Sequence, residues 1–539
     1  MFNLADCLDV VADACGPEDA LVQGGRRLSW ADTARRARNV ATWMVDRGAS
    51  RQGKVAVYTY NHPAYMESCW AAMKAACVPV NVNYRYREEE LRYLLDNADA
   101  EFVVVHQDFA PTLAKVRHDL PLLRGVLVVG DGGAASEAGL AELPGAECFE
   151  QVAETDRREP RVERSADDLL FLYTGGTTGM PKGVMWRQAD LYLRFAGGGL
   201  TAPPSSMAAL HAFAKSQPVR RKALIGPPLM HGTGWFTAMI TWLAGGTVVV
   251  LDDPKRFDPA DLWGVVEREK VSSITIVGDS FAKPMLRELE ARQRPYDLSS
   301  LLLVTSSGVM WSEETKQGLL RHAPQLTLID SFSSSEAIGM GLSVTTAKGS
   351  VHTAKFQLSD KTRLFDEALR PVESKPGAKG MVGAGGPQPL GYYKDPAKSA
   401  RTFVELEGQR FSVPGDWAVV NDDGVTLTLL GRGSVCINTG GEKVFPEEVE
   451  EVVKRFPGVR DCVVVGVPDE KFGEAITAVI STLGGPIDGE AVKAHVKQHL
   501  AGYKAPKHVV VVDDVYRSPS GKADFKRTKE MALEALGLA

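Results

Sequence analysis

Cysteine pairing is missing from this chain. Its seven cysteines (Cys7, Cys15, Cys69, Cys77, Cys148, Cys436 and Cys462) are odd in number, scattered and never spaced as CxxC. That pattern suggests neither a disulfide framework nor a zinc site, and it fits a reducing compartment. Long apolar runs are missing too. The most apolar window, Trp235 to Asp253, is broken by two glycines and falls short of the roughly 20 residues a membrane-spanning helix needs. It reads instead as a helix, a Gly-Gly turn and a buried strand. The first residues carry acids where a secretory signal would place lysine or arginine, so a cytoplasmic location is expected. Strong bulk charge is the third absence: a net charge of −6 with 24% charged and 44% hydrophobic residues describes an ordinary globular chain and gives no reason to expect a nucleic-acid partner.

What is present is alternation. Short apolar segments such as KVAVYTY, AEFVVVH, GVLVVG, SSITIVG, SLLLVTSSG and LTLIDSF alternate with helix-like stretches such as WADTARRARNVATWMVDRG and REEELRYLLDNA. Continuous Val/Ile/Leu strands between amphipathic helices predict an α/β fold of mostly parallel, helix-covered sheets. A chain of 539 residues exceeds one hydrophobic core. From about Asp416 the texture changes to a polar-alternating hairpin around Asp422-Asp423-Gly424, and a compact α+β tail follows. The expected division is a large N-terminal domain, 1–431, with a β-rich subdomain, and a small mobile domain, 432–539. The segment Gly197 to Ala223 shows no clear period and is expected to be a loop-rich surface insertion.

The stretch YTGGTTGMPKG, Tyr173 to Gly183, follows directly on the apolar run Leu169 to Leu172. Glycine-exposed amides at Gly175, Gly176 and Gly179, hydroxyls of Thr174, Thr177 and Thr178, and the Lys182 ammonium are groups that hold phosphate oxygens. It is not a Walker A loop, because lysine here follows proline and precedes glycine.

This loop resembles the phosphate loop of the adenylate-forming enzymes, specifically the AMP-forming acyl-CoA synthetases. PLMHGTG (Pro228 to Gly234), DSFSSSEAIG (Asp330 to Gly339), VPGDW (Val413 to Trp417), GRGSVCINTGGEKVFPEEVE (Gly431 to Glu450) and SPSGKADFK (Ser518 to Lys526) resemble the family's later motifs, in order. Together with GYYKD (Gly391 to Asp395), several of them are similar to actinobacterial synthetases that activate fatty acids or steroid side chains.

The resemblance implies ATP, Mg²⁺ and CoA as cofactor and co-substrates, and a small-molecule carboxylic acid as the partner. Glu336 would hold Mg²⁺, since this ion takes one or two protein carboxylates beside phosphates and water. On local sequence alone, Glu336 reads equally well as the N-terminal charge of a helix beside capping serines. Asp416 would bind the ribose hydroxyls and Arg432 ribose or phosphate, although an arginine at a domain seam is as often a solvated ion-pair partner. Phe332 would stack on adenine, with Ser307, Gly308, Asp330 and Ser335 completing the nucleotide site. His231 would act near carboxylate and phosphate; as a lone histidine it is more commonly a packed one. Lys522 would bridge carboxylate and α-phosphate during adenylation.

Gly440 and Gly441 would admit the pantetheine arm of CoA, with Gly433 and Ser434 as hinge. Two positions depart from the family pattern: Ser434 stands where aspartate or lysine is common, and Asn438 where many relatives carry lysine. Trp235, Met310, Ile338 and Met340 are candidate walls of an acyl pocket, or ordinary core. An apolar lining would favour a medium to long, or cyclic, hydrophobic acid. Loading of a separate carrier protein and a non-catalytic acyl or nucleotide sensor are the alternatives. Peripheral membrane contact and a homodimer are left open.

Overall fold

The computed structural model describes residues 2–130, 133–174, 180–196, 202–217, 220–309, 311–349, 355–358, 361–439, 442–469, 472–500, 502–517 and 521–538. The chain packs as two units, one comprising 1–339, 344–353 and 386–412, the other 340–343, 354–385 and 413–539.

The first unit has the expected α/β character. One sheet runs, in spatial order, Thr327–Phe332, Leu303–Ser307, Ser273–Ile276, Lys222–Ile225, Thr247–Val249 and Asp19–Gln23, all parallel, and ends in the antiparallel strand Arg26–Ser29. A second sheet runs Gly391–Tyr392, Lys182–Arg187, Leu169–Thr174, Val78–Asn81, Lys54–Tyr58, Ala100–His106, Gly125–Val129 and Glu147–Cys148. It is parallel except for its first two pairings. The central strands are buried on both faces, as their unbroken apolar runs require. Trp235 to Asp253 holds the helix Gly232–Leu243, Gly245 at φ +73° and the strand Thr247–Val249.

One expectation is corrected. Gly197 to Ala223 is not wholly loop, because Met207–Lys215 is a helix capped by Ser206, whose Oγ accepts from Ala209 N at 3.1 Å. Only Leu210 and Ala214 of this helix are buried. An (i, i+4) pair is too narrow an apolar stripe to stand out among flanking glycines and prolines.

The second unit contains an antiparallel sheet in the order Lys355–Leu358, Thr426–Arg432, Asp416–Val420, Lys379–Ala384, Thr362–Phe365 and Pro371–Val372. Its tail carries the helices Pro446–Lys454, Gly489–His499 and Phe525–Ala535 and a five-stranded sheet. Packing therefore does not divide the chain by a single cut at 431/432. Gly431, at φ +117°, lies so close to Glu447 that a Cβ there would stand 2.1 Å from its Oε2. Glycine at this position is demanded both by backbone conformation and by space.

Candidate active site

The strand Lys182–Arg187 organises the first unit's site. On one side it pairs antiparallel with Leu169–Thr174, placing Thr174 opposite Lys182. On its other side it pairs with Gly391–Tyr392. Gly175, Gly176, Thr177, Thr178 and Gly179 lie outside the described residues, and so does Met310.

Lys182 Nζ bonds Asp395 Oδ2, and Asp395 also caps the helix Pro396–Thr402 by accepting from Lys398 N at 3.0 Å. The hydrogen bond from Lys182 holds the Asp395 carboxyl below the usual carboxylate range. Lys182 is thus held by a contact between two half-buried side chains.

Glu336 is buried, at 8% exposure. Tyr392 Oη donates to its Oε1 at 2.8 Å, while Oε2 receives no hydrogen bond from the described residues. One oxygen oriented and one available suits a carboxylate that shares Mg²⁺ with nucleotide phosphates. No helix begins at this glutamate. Ser333 to Gly339 is instead a folded turn in which Ser333 Oγ accepts from Gly339 N at 3.0 Å and Ser334 N donates to Ala337 O at 2.8 Å. The capping alternative for Glu336 is therefore corrected. Trp186 Nε1 donates to Ser335 O at 3.0 Å, tying this turn to the strand Lys182–Arg187.

Two asparagines that sequence reasoning passed over hold the neighbouring segments. Asn81 donates to Tyr173 O at 2.9 Å and to Met230 O at 2.6 Å, and accepts from Tyr173 N at 2.6 Å. It joins the strand Leu169–Thr174 to the turn carrying His231. Asn61 accepts from Leu229 N at 2.6 Å and donates to Pro227 O at 2.9 Å. Half-buried His231 stands at the N-cap of Gly232–Leu243. Gly234 permits the tight turn, since a Cβ there would stand 2.5 Å from Pro228 O. Gly308, at φ +95°, faces the same turn: a Cβ on it would lie 3.8 Å from Thr233 Oγ1.

Ser307 ends its strand opposite Ser331, and Asp330 and Phe332 lie on the adjacent strand, both buried. Trp235 belongs to a large apolar core that includes Phe195 and Phe236, and half-buried Ile338 packs against that core. Met340 is fully buried and belongs to the second unit.

In the second unit Asp416 is half-buried and is the register partner of Arg432 across the hairpin. The side chains of Arg432 and Ser434 lie outside the described set, as do Gly440 and Gly441 entirely. Gly433 N donates to Gly415 O at 3.1 Å, and a Cβ on Gly433 would approach Trp417 Nε1 to 2.8 Å.

Lys522 is exposed. Its loop is anchored through Arg517, which pairs with both Asp461 oxygens, at 2.6 and 2.9 Å, and donates to Gly521 O at 3.1 Å. Burial works against ionised Asp461, but Arg517 and Lys454 prevail and draw its pKa down to about 2. Arg517 carries no motif signal that sequence reasoning could have used.

Residues 8–393 match the family described as AMP-binding enzyme, and residues 448–522 its C-terminal domain. The chain is 37% identical to the medium/long-chain-fatty-acid–CoA/3-oxocholest-4-en-26-oate–CoA ligase of Mycolicibacterium smegmatis, covering 99% of this chain and 97% of that one. It is 36% identical to the 3-oxocholest-4-en-26-oate–CoA ligase of Rhodococcus rhodochrous, with 98% and 96% covered. In fold it is similar to the anthranilate CoA ligase AuaEII in complex with anthranoyl-AMP, at TM-score 0.82 and 21% identity, with 99% and 98% covered. It is likewise similar to ATP-bound MatB from Rhodopseudomonas palustris, at TM-score 0.75 and 24% identity, with 97% and 98% covered. Matching family models at both ends of the chain, near full-length similarity to named CoA ligases and the paired carboxylate and lysine of the first unit lead to one conclusion: the chain belongs to the AMP-binding enzyme family and is an AMP-forming acid–thiol ligase.

Proposed function

We propose that this enzyme activates a hydrophobic carboxylic acid, of fatty-acid or steroid side-chain type, to its acyl-AMP and then transfers the acyl group to CoA, releasing pyrophosphate in the first step and AMP in the second. The observation that carries the reading is the placement of Lys182 and of Tyr392, the orienter of Glu336, on adjacent strands at the phosphate loop. The names of the relatives, fatty-acid and 3-oxocholest-4-en-26-oate CoA ligases, support the acid's class. The apolar surroundings of Trp235 and Ile338 agree with it.

The first half-reaction brings a carboxylate to the α-phosphorus of ATP, so two anions must be held in line while charge builds. Glycine-exposed amides and hydroxyls of 174–179 and Lys182 would hold the phosphates, with Lys182 exchanging Asp395 for them. Glu336 would hold Mg²⁺, which supplies neutralisation of the phosphate charge. Asp416 and Arg432 would bind ribose, and Phe332 with Ser307, Gly308, Asp330 and Ser335 would receive the base. Phe332 keeps the stacking face and has no phenolic hydroxyl. His231 would lie by the reacting carboxylate, and Trp235, Met310, Ile338 and Met340 would contact the acyl chain.

Residues 432–539 would act as a lid about Gly433 and Ser434. In one orientation Lys522 would serve adenylation, and in the other Gly440 and Gly441 would admit the CoA thiol. Attack of the thiolate on the acyl carbon forms the thioester and expels AMP. A cytoplasmic location is part of the proposal, and among the described residues no helix is long and apolar enough to cross a membrane.

The test is a panel of medium- and long-chain fatty, aromatic and sterol-derived acids, each with ATP and CoA or a phosphopantetheinylated carrier protein, read by AMP, pyrophosphate and thioester mass. Thioester on CoA with AMP is expected. Product on the carrier alone, release of ADP, or binding without turnover would overturn the reading.

A further inference from the structure

The first unit buries an ion pair against its parallel sheet that no role yet described accounts for. Asp330, on the strand Thr327–Phe332, and Lys316, on the preceding helix Glu313–His322, are both almost wholly enclosed, with Oδ2 and Nζ 3.4 Å apart. Burying two charges costs desolvation on both sides, so such a pair is poor evidence of a stabilising role. The geometry is loose for a charge-assisted bond. Among the described residues Lys316 Nζ has no other acceptor and rests 5.2 Å from the Trp311 ring, and no donor is aimed at Asp330 Oδ1. A carboxylate kept for packing alone would have both oxygens satisfied.

Position supplies the second half of the argument. Asp330 lies near the carboxyl end of its parallel strand, in register with Ser306, and the adjacent strand ends in Ser307 and the positive-φ Gly308. Open α/β sheets bind ligands beyond these strand ends.

We propose that Lys316 is a positioning residue: it keeps the Asp330 carboxylate charged with one oxygen spare, so that the site selects a base bearing an exocyclic amino group, adenine, over one bearing a carbonyl there, hypoxanthine. The inference rests on the reading that the base lies beside Asp330. A carboxylate accepts from an amino N–H and repels a carbonyl oxygen, whereas a neutral acid donates to that carbonyl. Selectivity therefore follows the charge on Asp330. Facing it are Lys316, which favours the charge, and Asp279 of the helix Gly278–Ala291, which opposes it and is paired with Lys283 at 3.6 Å. Ser306 on the adjacent strand is uncharged. Burial pushes the Asp330 pKa up to about 6 against the downward pull of Lys316.

The experiment compares kcat/KM for ATP and for ITP by pyrophosphate release with dodecanoate and CoA. Taking the ratio cancels the triphosphate titration that both nucleotides share. Near neutral pH, Lys316→Met is expected to lower the ATP:ITP ratio about tenfold, the scale of one hydrogen bond to a charged group, while Lys316→Arg retains it. In the unaltered enzyme the ratio should fall as pH drops through about 6, where Asp330 takes up its proton. A folded Lys316→Met enzyme with an unchanged ratio overturns the inference, and so does an unaltered enzyme whose ratio is flat across that pH range, which decides the matter if the variant does not fold. An unaltered enzyme that releases no pyrophosphate with any acid of the panel overturns the ligase reading instead.

Discussion

Glu336 in the first unit and Lys522 in the second are both single charges on loops, yet the chain secures them differently. Glu336 is buried and held at its own carboxylate by Tyr392 Oη. Lys522 is exposed, and the fixed contact lies one residue away at Gly521 O, under an Arg517 that is itself locked to Asp461. A group that works in place is oriented through its functional atoms. A group proposed to serve only one of two half-reactions is secured through the backbone of its neighbour.

The sharpest way to break this comparison is Lys522→Ala. Acyl-AMP formation is expected to fall about a thousandfold, while thioester formation from supplied acyl-AMP persists. Equal loss of both half-reactions, measured by pyrophosphate release and by thioester mass, would count against a role for Lys522 specific to adenylation. Glu336→Gln comes next, with an expected loss of about a hundredfold in adenylation and a higher Mg²⁺ requirement in a metal titration. An unchanged metal dependence would count against Glu336 as the ligand.

Arg517→Met tests the anchor. It strands Asp461, partly buried, without its main partner and is expected to cost about 2 kcal/mol in denaturant unfolding of the second unit. The acid limb carries the sign. Asp461 has a folded pKa of about 2, below its unfolded value of about 4, so its contribution is present above about pH 4 and is lost as pH falls toward about 2. The variant should therefore begin to lose structure at higher pH than the unaltered enzyme, followed by circular dichroism; coincident acid transitions would refute the anchoring role. The smallest effect is expected for Tyr392→Phe, about tenfold or less in kcat/KM for ATP, because one hydrogen bond to Glu336 is lost while the carboxylate remains. A loss as large as that of Glu336→Gln would show that Tyr392 does more than orient.

Much of this was legible along the chain because it is local. A strand running into YTGGTTGMPKG announces a loop exposed at a sheet end, and the alternating apolar strands announce parallel layers. The segment GYYKD was legible as a likeness, but its chemistry was not. Tyr392 and Asp395 act on Glu336 and Lys182, residues far away in sequence, through contacts made when Gly391–Tyr392 pairs with Lys182–Arg187. Sequence reasoning passed over Asn81 and Asn61. Their roles come from carbonyls and amides that buried turns leave unsatisfied, and such needs arise only once distant segments meet.

The order of strands, helices and motifs, the family and the chemistry of its reacting groups were determined by the sequence itself, because period, turn residues and loop composition act over a few neighbours. The tertiary structure alone decided that Glu336 sits in a turn rather than at a helix start, that its orientation comes from a tyrosine, that Arg517 anchors the Lys522 loop, and that Lys316 and Asp330 share a buried space. The reason is physical: hydrogen bonds, ion pairs and desolvation depend on which groups are brought within about 3 Å of one another in a water-poor interior, and chain topology sets that proximity.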